Sequence, residues 1–297
     1  MRQAVALMRT MFAELRAGTA QNQPRRRMHL PTASVLHAMA GACGKYYGTK
    51  IYSTNARART AEFLFWLLDA ETAKPLALME ANWLGQIRTG AASAYATDVL
   101  APRSASRMGV IGAGFQARSQ VEAVAAVRDL QEVRVWSRQE SNRVKFAEDI
   151  KKSLGVDCVA ASSAEDAVAG MPIVTTATWA KDPVVESSWI APGALVNAMG
   201  SNNSERRELP PDLIARAGRI VVDSIEVAKI EAGDLLLAWN AEDWSTGRLM
   251  ELKDLTPAVR PADEVAIFKS NGLGVEDVAV GGWVYEQALS LGKGREI

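Results

Sequence analysis

Cysteine is nearly absent from the 297 residues: Cys43 and Cys158 lie far apart and outside any CxxC pair. That scarcity excludes a disulfide framework and a cysteine zinc site, and a reducing cytoplasm is the expected setting. Histidine is as scarce, and His29 and His37, eight apart on an interrupted segment, are expected to be solvated or core residues and not to share a metal. There is no surplus of charge either. Lys plus Arg and Asp plus Glu number 34 each, so no net field draws a polyanion or holds the chain on an anionic membrane. Nucleic acid and membrane are therefore not expected partners, and a small molecule is. Long apolar runs are missing too. The longest, Phe63 to Leu68, falls far short of the roughly 20 residues that span a bilayer. The amphipathic start, with Val5, Met8, Phe12 and Leu15 on one helical face, is interrupted by Arg2, Arg9 and Glu14, and reads as a folded helix, not a leader. The chain does have ample apolar material, 48%, enough for one large domain or two medium ones.

No internal repeat or low-complexity segment occurs, but the pattern changes near Ala101-Pro102-Arg103. Before it, a helix over 1–17 precedes segments of alternating and aromatic residues (Met28 to Leu30, Lys50 to Ser53, Glu62 to Leu68, Pro75 to Glu80), which predict an antiparallel sheet. A small-residue helix then runs from Leu84 to about Leu100. From Met108 onward, six apolar runs alternate with helical stretches: Met108 to Ile111, Glu132 to Trp136, Asp157 to Ala160, Ile173 to Thr176, Ala194 to Ala198 and Arg219 to Val222. Short buried strands separated by crossovers predict a parallel, doubly wound sheet. The closing helical pattern, Val278 to Leu291, has no strand to follow and is expected to return to the first domain. The fold class is thus α/β: a Rossmann domain over 103–271, and an α+β substrate-binding and dimerisation domain formed by 1–102 with 272–297.

Gly112-Ala113-Gly114-Phe115-Gln116-Ala117 follows the apolar run Arg107 to Ile111 and opens a helix with Val121, Val124 and Val127 suitably spaced. In that setting the first glycine permits a tight turn and the second admits a pyrophosphate to backbone N–H groups. The small third residue, Ala117, lets the helix pack on the strand. A dinucleotide site is expected. At the end of the next run, Trp136-Ser137-Arg138 lacks the carboxylate that would accept from the adenine ribose hydroxyls. Ser137 as a donor and Arg138 as a bidentate partner favour a 2′-phosphate, so NADP(H) is preferred and NAD(H) remains possible. Thr176-Ala177-Thr178 and Met199-Gly200-Ser201, beyond the carboxyl ends of two strands, are expected to line the nicotinamide end.

Glu80, Arg88-Thr89-Gly90-Ala91-Ala92-Ser93, the GAGFQA turn, Trp136-Ser137-Arg138, Asn197-Ala198-Met199-Gly200-Ser201-Asn202 and Lys269 to Asp277 occur in that order. With them the chain resembles the ornithine cyclodeaminase/μ-crystallin family over nearly its whole length. The resemblance implies a homodimeric NAD(P) enzyme: a cyclodeaminase, an amino-acid dehydrogenase, or a ketimine or cyclic-imine reductase. It also implies that two arginines and a lysine grip a substrate carboxylate, matching Arg25, Lys50 and Arg88 here, with Arg27 the alternative to Arg25. A guanidinium meets a carboxylate with two parallel hydrogen bonds, and a partly desolvated lysine can also donate or accept a proton. Thr60 matches a position near the substrate amine, and His37 lies near the implied pocket.

The chain departs from the family pattern in two places. The cyclodeaminases carry Asp after a Gly-Gly pair, whereas Gly200-Ser201-Asn202 places an amide there, which cannot shuttle protons as a carboxylate does. The start lacks the family's further strand and helix-leading segment, so a late start or an altered dimer edge is expected. The expected activity is NADPH-dependent reduction of imines of 2-oxo acids, or the reverse dehydrogenation. A cyclodeaminase using NAD and a non-catalytic NADPH- and small-ligand-binding protein are the alternatives.

Overall fold

Turn-forming side chains divide the first hundred residues into paired strands. Asn55 Oδ1 accepts from the N–H groups of Arg57 and Ala58 at 3.0 and 2.9 Å, and Asp69 Oδ1 from those of Glu71 and Thr72 at 3.1 and 2.7 Å. Each oxygen folds the chain back on itself. The computed structural model describes residues 1–58, 60–256 and 260–295. In chain order, α1 (Arg2–Ala17) leads to β1 (Gln21–His29), β2 (Ser34–Cys43), β3 (Tyr46–Asn55), β4 (Thr60–Asp69), β5 (Pro75–Glu80) and α2 (Asn82–Leu100). There follow β6 (Arg107–Ile111), α3 (Phe115–Ala125), β7 (Glu132–Trp136), α4 (Glu140–Leu154), β8 (Asp157–Ala160), α5 (Ala164–Val168), β9 (Ile173–Thr176) and β10 (Leu195–Ala198). Then come α6 (Pro211–Arg216), β11 (Arg219–Val222), α7 (Ile225–Glu231), α8 (Gly233–Leu236), β12 (Leu249–Glu251), β13 (Ala266–Lys269) and the closing α9 (Gly274–Ser290). Among the described residues no helix is long and apolar enough to cross a membrane.

The chain forms two compact units, Gln3–Arg88 with Gly272–Ile297, and Met1–Arg2 with Thr89–Asn271. In the first, β1 to β5 make an antiparallel meander in sequence order. Met39, Phe65 and Leu67 are buried on one face, and α9 packs across β1 to β4. Glycine permits that packing: a Cβ on Gly41 would run into the Val275 backbone nitrogen. The opposite face leaves Leu36, Ile51, Leu64, Trp66 and Leu78 exposed.

In the second unit eight parallel strands run in the order β12-β11-β13-β10-β9-β6-β7-β8. The order reverses between β6 and β9, which opens a crevice at the carboxyl ends of those strands. Ile111, Val174, Val196, Ile220 and Ile267 join a single buried cluster. The fold class is the expected one, but the sheet holds two strands beyond the six read from sequence, β12 and β13, and the meander includes β2, also unread. β13 lies between β10 and β11 and ends in the fully buried Lys269, a residue that argues against a central strand when read alone. β2 is rich in alanine and glycine, so its alternation is weak; the small residues serve the close approach of α9. The second unit also reaches back to Thr89, short of the expected boundary at 102/103. Ala91, Ala92, Ala94 and Ala96 of α2 are fully buried, and a Cβ on Gly90 would meet the Ser119 carbonyl, so this half of the helix belongs with the parallel sheet.

Candidate active site

The crevice of the parallel-sheet unit is built by the glycine turn after β6. Gly112 adopts φ +110°, and a Cβ there would strike the Ala177 carbonyl oxygen, so only glycine fits. Gly112 N–H donates to the Trp136 carbonyl at 2.8 Å and Ala177 N–H to the Ile111 carbonyl at 2.8 Å, which ties together the ends of β6, β7 and β9. A Cβ on Gly114 would meet nothing within 4 Å. α3 begins there with no side-chain cap, leaving first-turn N–H groups for an anion. Ala117 is fully buried and Phe115 half exposed, while Gln116 places in that first turn a buried Oε1 that has no hydrogen-bond partner among the described residues. A cavity of about 1210 Å³ opens from this turn, and Gly112, Ala113, Ser137, Arg138, Ala177 and Thr178 line it. Its volume and glycine turn fit a dinucleotide. Trp179 and Arg206, which sequence reasoning missed, form part of its wall, with the guanidinium 4.9 Å from the indole centroid and Nη1 donating to the Trp179 carbonyl at 2.9 Å.

The expected cofactor residues divide between the cavity wall and the structure behind it. Ser137 Oγ donates to the Gln139 carbonyl at 3.0 Å, so its proton is already used; Arg138 is exposed at the cavity edge. Thr176, Met199 and Ser201 are buried, and none of them, nor Gly200, lines the cavity. They form its support, through a residue that the sequence reading missed. Glu208 is fully buried and accepts from Thr176 Oγ1 at 3.0 Å, Thr178 N and Oγ1 at 2.6 and 2.7 Å, and Gly200 N at 2.7 Å. One carboxylate therefore joins the loops after β9 and β10. Burial and the neighbouring Asp234 raise its pKa, while Lys269 and Thr178 oppose the rise. Asp234 accepts from the backbone N–H groups of Glu208 and Leu209 at 2.6 and 2.9 Å and pairs with Lys269 Nζ at 3.0 Å. An isolated buried charge is prohibitively costly; here the one cation, Lys269, offsets the two carboxylates in part, and the hydrogen bonds that Glu208 and Asp234 accept supply the rest. Glu208→Gln turns an NH₂ toward donors and removes a charge facing Lys269. It is expected to lower the unfolding free energy by about 2 kcal/mol or more, checked by denaturant titration. Asn202, half-buried, follows in the same loop.

The antiparallel unit brings together the three expected cations. Arg25, Lys50 and Arg88 are 5%, 3% and 8% exposed. Lys50 Nζ sits 2.8 and 2.7 Å from the two Asp277 carboxylate oxygens. Arg88 Nη1 lies 2.7 Å from Glu276 Oε2 and its Nε 3.3 Å from Asp277 Oδ1, while Arg25 Nη2 donates to the Gly272 carbonyl at 3.4 Å. Gly272 takes φ +79°, and a Cβ there would strike the Arg88 guanidinium. Glu276 and Asp277 are both fully buried at the start of α9. Sequence reasoning used them as a motif but missed their role as partners of these cations. The five side chains together carry one surplus positive charge, suited to a carboxylate. Burial, Arg88 and Arg25 lower the Lys50 pKa to about 8 against the opposing pull of Asp277. Thr60 is not brought to this cluster. It is exposed and pairs with Asn55 at the hairpin end, whereas Lys50 pairs with Phe65, five residues or about 17 Å away along the strand. His37 is buried and His29 exposed.

Comparison with known proteins accords with this geometry. The model of the ornithine cyclodeaminase/mu-crystallin family matches residues 1–292. The chain belongs to that family. Within the ornithine cyclodeaminase/mu-crystallin family it is 37% identical over 245 residues to a Delta(1)-pyrroline-2-carboxylate reductase of Bacillus cereus, covering 80% of this chain and 75% of that protein. Among solved structures it is similar to the Delta(1)-pyrroline-2-carboxylate reductase of Thermococcus litoralis in complex with NADH and L-proline, with TM-score 0.93 and 30% identity over 100% of this chain and 96% of the other. It also resembles an archaeal alanine dehydrogenase dimer with bound NAD, with TM-score 0.90 and 30% identity over 99% of this chain and 93% of the other.

Proposed function

We propose that this protein is an NADPH-dependent reductase of imines derived from 2-oxo acids, running in reverse as an amino-acid dehydrogenase. The observation that carries this reading is the buried Arg25–Lys50–Arg88 cluster with its surplus positive charge, in a chain whose other unit holds a dinucleotide crevice. Arg25 and Arg88 orient the substrate carboxylate, and orientation of this kind is itself a large part of catalysis. The nicotinamide, when bound, supplies the hydride that the imine carbon receives. Lys50, protonated below about pH 8, gives a proton to the imine nitrogen, so that the product is the neutral amine's conjugate acid after one further proton from water. Asn202 offers an amide to a nitrogen substituent without taking its proton, which favours reduction over cyclodeamination.

NADPH is preferred over NADH in this reading because Arg138 stands at the end of β7 with no carboxylate in Trp136-Ser137-Arg138. Arg138→Asp is expected to weaken NADPH and strengthen NADH, shifting the ratio of their dissociation constants by about tenfold or more; fluorescence titration of both cofactors checks it. The exposed apolar face formed by Leu36, Ile51, Leu64, Trp66 and Leu78 supports assignment of the antiparallel unit to homodimerisation. Cys43 and Cys158, both unpaired, suit the cytoplasm. The reading is tested by NADPH oxidation across 2-oxo acids with ammonia or methylamine and across cyclic imines. Turnover of at least one imine is expected. Robust conversion of L-ornithine with NAD⁺ to proline and ammonia would overturn it.

A further inference from the structure

Trp179 is 67% exposed on the wall of the crevice cavity, although tryptophan is highly buried on average. Its surroundings hold it in place. Arg206 Nη1 donates to the Trp179 carbonyl at 2.9 Å, and the same guanidinium covers the indole at 4.9 Å from its centroid. On one side of Trp179, Thr178 N–H donates to Glu208 Oε1 at 2.6 Å; on the other, Ala180 N–H donates to Thr178 Oγ1 at 3.3 Å. The two segments are joined again by Arg207 N–H to the Lys181 carbonyl at 3.4 Å and by Val184 N–H to the Glu208 carbonyl at 2.8 Å. Gly233 packs so closely behind them that a Cβ there would strike the Arg206 carbonyl oxygen. An indole braced on one face by a cation, with much of its ring open to a cavity, is a stacking platform that has little freedom left to lose.

The position of the cavity identifies the group that the platform faces. Gly112 and Ala113 after β6, Trp136 to Gln139 at the end of β7, and Ala164 at the start of α5 after β8 contribute to its lining, whereas Met199, Gly200 and Ser201 after β10 do not. With the loop after β9 as its far wall, the cavity lies over β6, β7 and β8, on one side of the reversal in strand order. In this fold the pyrophosphate crosses the turn after the first strand, and the adenosine ribose meets the end of the second, here β6 and β7. The cavity is therefore the adenosine half of the crevice, and the planar group of that half is adenine.

We propose that Trp179 stacks on the adenine ring of the dinucleotide and that Arg206 is a positioning residue, which holds the indole in place for it. The inference rests on the cofactor reading of the crevice and adds to it a residue that sets affinity through the base. Stacking uses the π face of adenine and is indifferent to the 2′-phosphate. Trp179 therefore contributes equally to NADPH and NADH, whereas Arg138 acts on the difference between them.

The test is calorimetric titration of the full chain with NADPH, NADH and ADP-ribose, which carries adenine but no nicotinamide. Trp179→Ala is expected to raise all three dissociation constants by about tenfold, and Trp179→Phe, which keeps a ring, by about threefold or less. Arg206→Met is expected to weaken all three in the wild-type background and to add nothing in Trp179→Ala, since a residue that acts through the indole has no effect once the indole is gone. The exposure of Trp179 keeps its replacement away from the core, and unchanged melting temperatures check that the variants are folded. Unchanged ADP-ribose binding in Trp179→Ala overturns the stacking role, whether or not the dinucleotides weaken, and leaves the cofactor reading intact. An equal loss from Arg206→Met in both backgrounds overturns the positioning role of Arg206. If the wild-type protein binds neither dinucleotide, the cofactor reading itself fails and the stacking role with it.

Discussion

Replacing Arg88 by alanine is expected to lower kcat/KM for imine reduction by at least about 100-fold, or about 2.7 kcal/mol. Arg88 holds Glu276 at 2.7 Å and approaches Asp277 at 3.3 Å inside a cluster where every member is buried. Its removal changes the five-residue total from one surplus positive charge to none, so the driving force for a carboxylate disappears along with a bidentate donor. The same removal leaves buried carboxylates short of a cation, which destabilises the fold by about 3 kcal/mol or more. Arg88→Lys separates the two effects. It keeps the charge and much of the stability but loses the planar fork, so its kcat/KM is expected to stay well below wild type. Steady-state kinetics on variants shown to be folded by circular dichroism check this. Unchanged kinetics in a folded Arg88→Ala protein would show that Arg88 serves only the structure.

The second large effect concerns Lys50. Lys50→Met is expected to reduce kcat/KM by about 100-fold or more, since it removes both a carboxylate partner and a positioned proton donor. With the Lys50 pKa lowered to about 8, wild-type imine reduction is flat below that pH and declines as pH rises through it. Amino-acid oxidation, which needs the neutral amine as acceptor, rises over the same interval. The inflection near 8 should vanish in Lys50→Met; an identical profile in both proteins would exclude Lys50 as the titrating group. Stability follows from the same shift. The folded-state pKa of about 8 lies below the ordinary lysine value of 10.5, so the unfolded chain binds this proton more tightly. The penalty, about 3 kcal/mol, is fully present below pH 8 and is relieved as pH rises toward 10.5. Unfolding free energy measured against Lys50→Met should therefore shift in favour of wild type across that window.

Local sequence determined the class of each half of this protein. The run Arg107 to Ile111 followed by Gly112 and Gly114 specifies a strand, a tight turn and an open helix N-terminus, because only glycine tolerates φ +110° beside the Ala177 carbonyl. The candidates Arg25, Lys50 and Arg88 were legible through family resemblance, and polar residues in strand-like or small-residue surroundings stand out from the hydrophobic pattern. Tertiary structure decided the partners. β13 ends in a buried lysine that is tolerable only because Asp234 meets it, and no local pattern can announce a charge balance made from the other end of a domain. Glu208 stands about 30 residues from Thr176 and Thr178, which it ties together, and Asp277 lies 227 residues from Lys50. Thr60 was misplaced for the related reason that its distance from Lys50 depends on the hairpin register, which pairs it with Asn55. Periodicity reports which face a side chain takes; burial makes a charge too costly to stand alone, and only the folded chain shows which opposite charge it meets.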